Sequence, residues 1–213
     1  MTTPLVKDRI YRSPQALIGG VLLLAIVGWL GVDALLRGHG RTPWLALAAL
    51  ILLVPLVVAF TLRPAVFAGE DRLRVRNPFR VITLPWGEIA ALRSGYSNEV
   101  IVESGAKYQL WAIPVSLRSR KKAARRQTKA ESDARGGRTA SAGRVFGGLR
   151  ESDGASGPLR AETDKIMDEL RQLLEQRGKA ESAQGEITVR WAYEVVAPAV
   201  AGAVLLAILL AVG

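Results

Sequence analysis

The sequence predicts a membrane α-helical chain with three transmembrane helices and a small α+β domain, an antiparallel sheet or barrel followed by its own helix. Three observations lead there. The mean hydropathy is positive although 23% of the residues are charged, so apolar and charged residues must be segregated along the chain. Uncharged blocks long enough to span a bilayer lie near both ends. Between them the hydrophobic period changes from continuous to alternating, and then to that of an amphipathic helix.

Ser13 to Val32 runs twenty residues without a charge, Thr42 to Leu62 is a second such block, and Val195 to Gly213 a third. About 20 apolar residues in a helix cross ~30 Å of hydrocarbon. The expected spans are 14–36, 43–62 and 191–212, after a short N-terminal segment, 1–13. The first is too long for a typical signal-peptide core, and no small-residue cleavage site follows it. Arg37-Gly-His-Gly-Arg-Thr-Pro43 reads as a tight turn between antiparallel spans, with Arg37 one helical turn beyond Asp33 and placed to pair with it. Lys7, Arg9 and Arg12 precede the first span, and Arg63, Arg72, Arg74, Arg76 and Arg80 follow the second, against Arg37 and Arg41 in the turn. The positive-inside rule therefore places the N-terminus and residues 63–190 in the cytoplasm and the C-terminus outside. Trp44, Trp191 and Tyr193 stand at span ends, where amphipathic rings favour the headgroup layer.

The third span carries Ala199, Ala203, Ala207 and Ala211, a small residue at every fourth position, and the first carries Ala16, Gly20 and Gly28. Such ridges allow close helix approach. They suit packing of the third span on the hairpin, or homodimerisation. Pro55 and Pro198 are expected to kink their helices.

Residues 63–116 form the expected β domain. Arg72-Leu-Arg-Val-Arg76 puts Leu73 and Val75 on one face and three arginines on the other. Asn77-Pro78 is a turn signal, Phe79–Leu84 and Glu88–Arg93 read as strands around Pro85-Trp86-Gly87, and Asn98–Glu103 and Ala106–Ile113 flank the turn Ser104-Gly105. From 117 to 157 the chain is basic and then rich in Gly, Ser, Ala and Arg, which is a disordered composition. Pro158 opens an amphipathic helix over 158–178 with Leu159, Ile166, Met167, Leu170, Leu173 and Leu174 on one stripe. That stripe covers either the sheet or a second copy in a coiled coil.

The chemistry points away from catalysis. With no cysteine, disulfides and thiolate sites are excluded, and the single histidine, His39, has no second ligand near it. No P-loop, dinucleotide, nucleophile-elbow or zincin motif is present. No enzymatic activity, metal or cofactor is expected. A formal charge of +10 instead calls for an anionic partner. The candidate headgroup- or partner-binding residues are Arg63, Arg72, Arg74, Arg76 and Arg80, joined by Arg118, Arg120, Lys121, Lys122, Arg125, Arg126 and Lys129. Each basic residue beside an anionic leaflet contributes about 1 kcal/mol. The tract has no interleaved aromatic residues to stack bases, so specific nucleic-acid binding is not expected.

Two spans, Arg63-Pro64, short strands, Phe79-Arg-Val-Ile-Thr-Leu-Pro-Trp-Gly-Glu-Ile89 and Tyr108-Gln-Leu-Trp111 resemble the bacterial PH-like domain proteins. The sequence is most similar to the actinobacterial group typified by low-molecular-weight protein antigen 6. The Ala/Arg/Gly/Leu-rich usage is that of a high-GC bacterium. The resemblance implies a PH-like fold, in which a helix plugs one end of a bent sheet, and attachment to the bacterial cell membrane. It carries over no catalytic residue. The expected function is that of a non-enzymatic integral membrane protein with a cytoplasmic PH-like scaffold domain, binding a protein partner or an anionic phospholipid. The alternative is an accessory or regulatory subunit of a membrane complex acting through its transmembrane helices.

Overall fold

The computed structural model of the protein describes residues 8–114 and 157–212, the side chains of 157–162 excepted. The chain opens with a three-residue strand, β1 (Arg9–Tyr11), and turns at once into a long helix, α1 (Pro14–Arg37). Ser13 caps α1, its Oγ accepting from the Ala16 N–H at 3.3 Å, and Pro14 follows where a missing N–H costs nothing. The ion pair Arg37–Asp33 closes at 3.1 Å, as the spacing implies. Helix α2 (Thr42–Val57) returns antiparallel, and Pro55 leaves a carbonyl without its usual donor. The helix then widens into a π-type turn, Val58–Leu62, where the Thr61 hydroxyl donates to the Val57 carbonyl at 2.6 Å.

Six strands follow: β2 (Ala65–Ala68), β3 (Arg72–Arg76), β4 (Arg80–Pro85), β5 (Ile89–Ser94), β6 (Asn98–Val102) and β7 (Lys107–Gln109). After helix α3 (Gly157–Arg177) come a last strand, β8 (Thr188–Trp191), and helix α4 (Tyr193–Ala211). Two antiparallel sheets result, ordered β1-β2-β3-β4-β8 and β5-β6-β7. Their inner faces share one core with α3, built on Leu73, Val75, Ile82, Leu84, Trp86, Val100, Val102, Met167 and Leu170.

Trp86, the distinctive residue of the Leu-Pro-Trp segment, is fully buried, and its indole N–H reaches the Gly69 carbonyl at 3.1 Å. Burying it adds one of the largest apolar surfaces in the domain while its one donor stays paired. Asn98, also buried, donates its amide to the carbonyls of Ile113 and Pro114 and so holds the end of the β7 segment. The stripe of α3 answers the choice left open by the sequence. Met167 and Leu170 enter the domain's own core, while Arg177 pairs with Glu70 at 3.3 Å and Arg171 reaches Ser94 Oγ at 3.2 Å. The helix completes the domain, and among its described side chains no large apolar one is exposed.

Two strands escape the sequence reading. Residues 9–11, expected to be part of a plain N-terminal segment, form β1 on one edge of the five-stranded sheet, with Tyr11 opposite Val66. Trp191, expected at the start of the third span, ends β8 on the other edge, opposite Arg80. Both strands are too short to announce themselves by alternation. The strand expected over 106–113 stops at Gln109.

The structure divides the expected helix-packing residues by exposure. On α4 the buried positions are Val195, Ala199 and Gly202, whereas Ala203, Ala207 and Ala211 of the expected ridge are exposed. A Cβ on Gly202 would lie 2.5 Å from the Leu52 backbone nitrogen, so only glycine permits this approach of α4 to α2. On α1, Gly20 is buried against Thr61, but Gly28 meets nothing within 4 Å. A four-residue repeat of small side chains names a ridge without naming the face that a neighbour covers.

Replacing Gly202 by Val is therefore expected to destabilise the protein by about 1–3 kcal/mol through overpacking, whereas Ala203→Val should leave thermal unfolding unchanged. A second expectation concerns β1. The Tyr11 hydroxyl donates to Glu169 Oε2 on α3 at 3.0 Å. Burial, then this bond and the Glu169 charge, raise its pKa above the usual phenol value. The neutral phenol is thus favoured by folding. Its contribution is complete below the unfolded pKa and is lost as pH rises through the folded one. Tyr11→Phe should cost about 1 kcal/mol at neutral pH, and the difference from the native chain should shrink in alkaline denaturation curves.

Candidate functional site

The joins between sheet and helices are very short. Only Arg12 and Ser13 separate β1 from α1, only Arg63 and Pro64 separate the α2 turn from β2, and only Ala192 separates β8 from α4. Antiparallel pairing puts all three joins at one end of the five-stranded sheet, together with the β3–β4 turn. Aromatic rings fill the seam. Phe60, in the last turn of the α2 segment, meets Phe79 edge-on at 5.2 Å between centroids and Trp111 at 5.7 Å. Each such pair contributes about 0.5–1.5 kcal/mol beyond its buried area.

This helix-proximal end is cationic. It gathers Arg12, Arg63, Arg76, Arg80 and Arg190, with the Glu194 carboxylate paired to Arg63. The opposite end of the same sheet carries Asp8, Glu70 and Asp71. Directly opposed residues on neighbouring strands share a face. Ala65 is opposite Arg76, Arg76 is opposite Val81, and Val81 is opposite Arg190. Arg12 continues that row one residue past the Tyr11–Val66 pair. Arg12, Arg76 and Arg190 thus alternate with Ala65 and Val81 across the outer face. Strands lie about 4.8 Å apart, so neighbouring arginines of the row have backbones roughly 10 Å apart.

Arg63 sits behind this row. Its side chain is only 10% exposed, with Nη1 at 2.7 Å from Glu194 Oε1. Its buried Nε has no acceptor among the described residues. The Arg76 guanidinium is pushed below its ordinary pKa by burial first, and then by the positive charges of Arg63, Arg12 and Arg74, with Glu194 opposing. Among the described residues, Arg12, Arg76, Arg80 and Arg190 take part in no ion pair. Arg74 and Arg76 lie over the Phe67 ring at 4.5 and 5.8 Å, and Arg80 over Trp191 at 4.3 Å. The stacking holds these guanidinium planes while leaving their N–H donors available.

The structure divides the expected arginines. Arg72, Arg74 and Arg76 share the outer face, but Arg72 lies at the far end of the strand, and Arg74 is 3.6 Å from Asp8. Arg80 has the parity of the inward Ile82 and joins the cationic end through Trp191. Arg118, Arg120, Lys121, Lys122, Arg125, Arg126 and Lys129 lie outside the described residues. Arg12 and Arg190 were absent from the expected site. No periodicity pointed to Arg190, and for Arg12 the available signal was its place just before the Ser13-Pro14 helix start.

No cluster of three or more metal-ligating side chains occurs among the described residues. Residues 63–149 match the family model of the bacterial PH domain. The chain carries a bacterial PH-like domain. The match begins at Arg63, the residue that joins α2 to the sheet, and the two sheets closed by α3 form the PH-like body. No curated protein and no solved structure matches the chain. PH domains are generally binding modules rather than catalysts, and commonly take lipids or proteins.

The Arg63–Glu194 pair should be measurable as a coupling. Glu194→Gln leaves a buried guanidinium without its counter-charge, while the Arg63→Gln/Glu194→Gln double variant does not. Because Glu194 is largely exposed, a double-mutant cycle read by thermal unfolding is expected to give about 0.5–1 kcal/mol, with Glu194→Gln alone worse than the double.

Proposed function

We propose that this is an integral protein of the bacterial plasma membrane that holds a PH-like domain against the cytoplasmic leaflet as a non-enzymatic binding and scaffold module. Its partner would be an anionic lipid or a protein. Three helices are long and apolar enough to cross a membrane: Pro14–Arg37, Thr42–Leu62 and Tyr193–Ala211. Their outward side chains support insertion, for Trp29 is 75% and Leu36 80% exposed. A contiguous apolar surface of this kind needs lipid to cover it. The observation that carries the reading is the convergence of all three joins on the cationic end of the sheet. With one or two residues per join, the domain has no free linker and stays at the membrane surface. The basic tract at 118–129 departs four residues after Pro114, on the segment that packs near Phe60 through Trp111.

The outward Ala203, Ala207 and Ala211 support the second reading, an accessory subunit that meets another membrane protein along α4.

The chain has no cysteine, so single-cysteine mapping is unambiguous. His39→Cys in the α1–α2 turn should react with a membrane-impermeant maleimide in intact spheroplasts. Ser104→Cys in the β6–β7 turn should react only after permeabilisation. The reverse pattern, or equal labelling of both, would reject the orientation.

A further inference from the structure

The cationic row at the helix-proximal end has a feature that charge near a membrane does not by itself require. Positive-inside orientation asks for basic residues near the cytoplasmic ends of spans, and exposed arginines satisfy it. Here Arg63 is nine-tenths buried with an unpaired Nε, and Arg76 is partly desolvated among like charges. A buried unpaired donor and a self-repelling cluster both cost stability unless something anionic completes them. Glu194 supplies one negative charge, and that charge is engaged by Arg63.

The geometry supplies the rest. Ala65, itself fully buried, stands between Arg12 and Arg76 in the row, and the neighbouring Phe67 ring lies 5.8 Å from the Arg76 guanidinium carbon. Arg12 lies two residues before α1, whose N-terminal dipole adds positive potential nearby. The guanidinium fork matches phosphate oxygens bidentately. The depth is also set, because the site lies level with the first turns of α1 and α4 and the last turn of α2. In a spanning arrangement that is the headgroup layer.

We propose that Arg12, Arg63 and Arg76 form a binding site for one phosphate group, supplied by an anionic phospholipid of the leaflet, with Arg190 at its flank. The site is built jointly by the sheet and the spans, so the PH-like domain alone would not contain it. The proposal rests on the membrane reading above.

The full chain in phosphatidylcholine nanodiscs containing a minor fraction of phosphatidylglycerol provides the test, with bound lipid counted by native mass spectrometry after detergent release. The native chain is expected to retain phosphatidylglycerol at least fivefold over phosphatidylcholine. Arg12→Gln/Arg76→Gln should lose that preference, and Arg12→Lys/Arg76→Lys should recover part of it. Arg72→Gln, the same charge change at the far end of β3, should behave as the native chain. Thermal unfolding in pure phosphatidylcholine separates binding from folding, since the Gln pair relieves repulsion and should be no less stable than the native chain there. Retained preference in the Gln pair, or equal loss in Arg72→Gln, would overturn the site. Millimolar inorganic phosphate that raises the melting temperature in pure phosphatidylcholine and strips the retained phosphatidylglycerol would overturn the lipid as its source. A protein that never enters nanodiscs would refute the membrane reading itself, an outcome distinct from insertion without lipid preference.

Discussion

The backbone pairing of β1, β2 and β8 into one sheet governs the rest of the molecule. Each of these strands is covalently next to a membrane-length helix, and their hydrogen bonds fix where the helices start and end relative to the domain. Buried N–H and C=O groups must be paired, so the joins cannot slide without breaking the ladder. The sheet and the helical bundle therefore share a boundary condition. Moving β1 by one residue would turn Tyr11 out of the core and away from Glu169, and would also turn α1 by about 100° about its axis. Domain and helices are specified together.

The same pairing explains the polarity of charge. Antiparallel strands bring alternate chain ends together, so one end of the sheet receives every join and the other receives the loops Gly69–Asp71 and Pro85–Trp86. Residues flanking the three long apolar helices are largely basic, and the topology concentrates them. The far end is then open to the acidic residues Glu70 and Asp71, of which Glu70 is used to hold Arg177 at the end of α3. The separation follows from connectivity and needs no long-range design of the surface. What connectivity does not dictate is how deeply Arg63 is buried or how Arg76 is placed against Phe67.

The parts of the fold carried by period and length were legible in the sequence. Uncharged blocks identified the helices, alternation identified β3 to β6, and the stripe through Met167 and Leu170 identified α3. The PH-like character was readable from Leu-Pro-Trp, because Trp86 needs a core and a carbonyl for its indole, and the sheet supplies both. Strands β1 and β8 were hidden because three or four residues beside a long apolar helix have no period of their own. Their pairing is decided by the sheet they join. The packed face of α4 was hidden for a related reason. Gly202 and the ridge from Ala199 offer two small-residue faces, and only the position of α2 selects between them. At the candidate site, single arginines could be named along the chain. The row through Arg12, Arg76 and Arg190 exists only in the register.

That distinction bears on how a basic protein surface at a membrane should be weighed. A diffuse surface gains affinity from the number of charges and loses it steadily with salt, since exposed charges are screened beyond about 8 Å under physiological conditions. A partly buried cluster is screened less, and its energy depends on which donors it aligns. Arg72 and Arg76 lie on the same face of one strand, and a count of charges treats them alike. The structure sets Arg72 beside the acidic end and Arg76 among Arg12, Arg63 and Arg74, where like charges repel it. If membrane association were only diffuse, the two residues would be interchangeable. Arg76 is half-buried where Arg72 is exposed, and that difference gives the PH-like domain an inner end with a chemistry of its own.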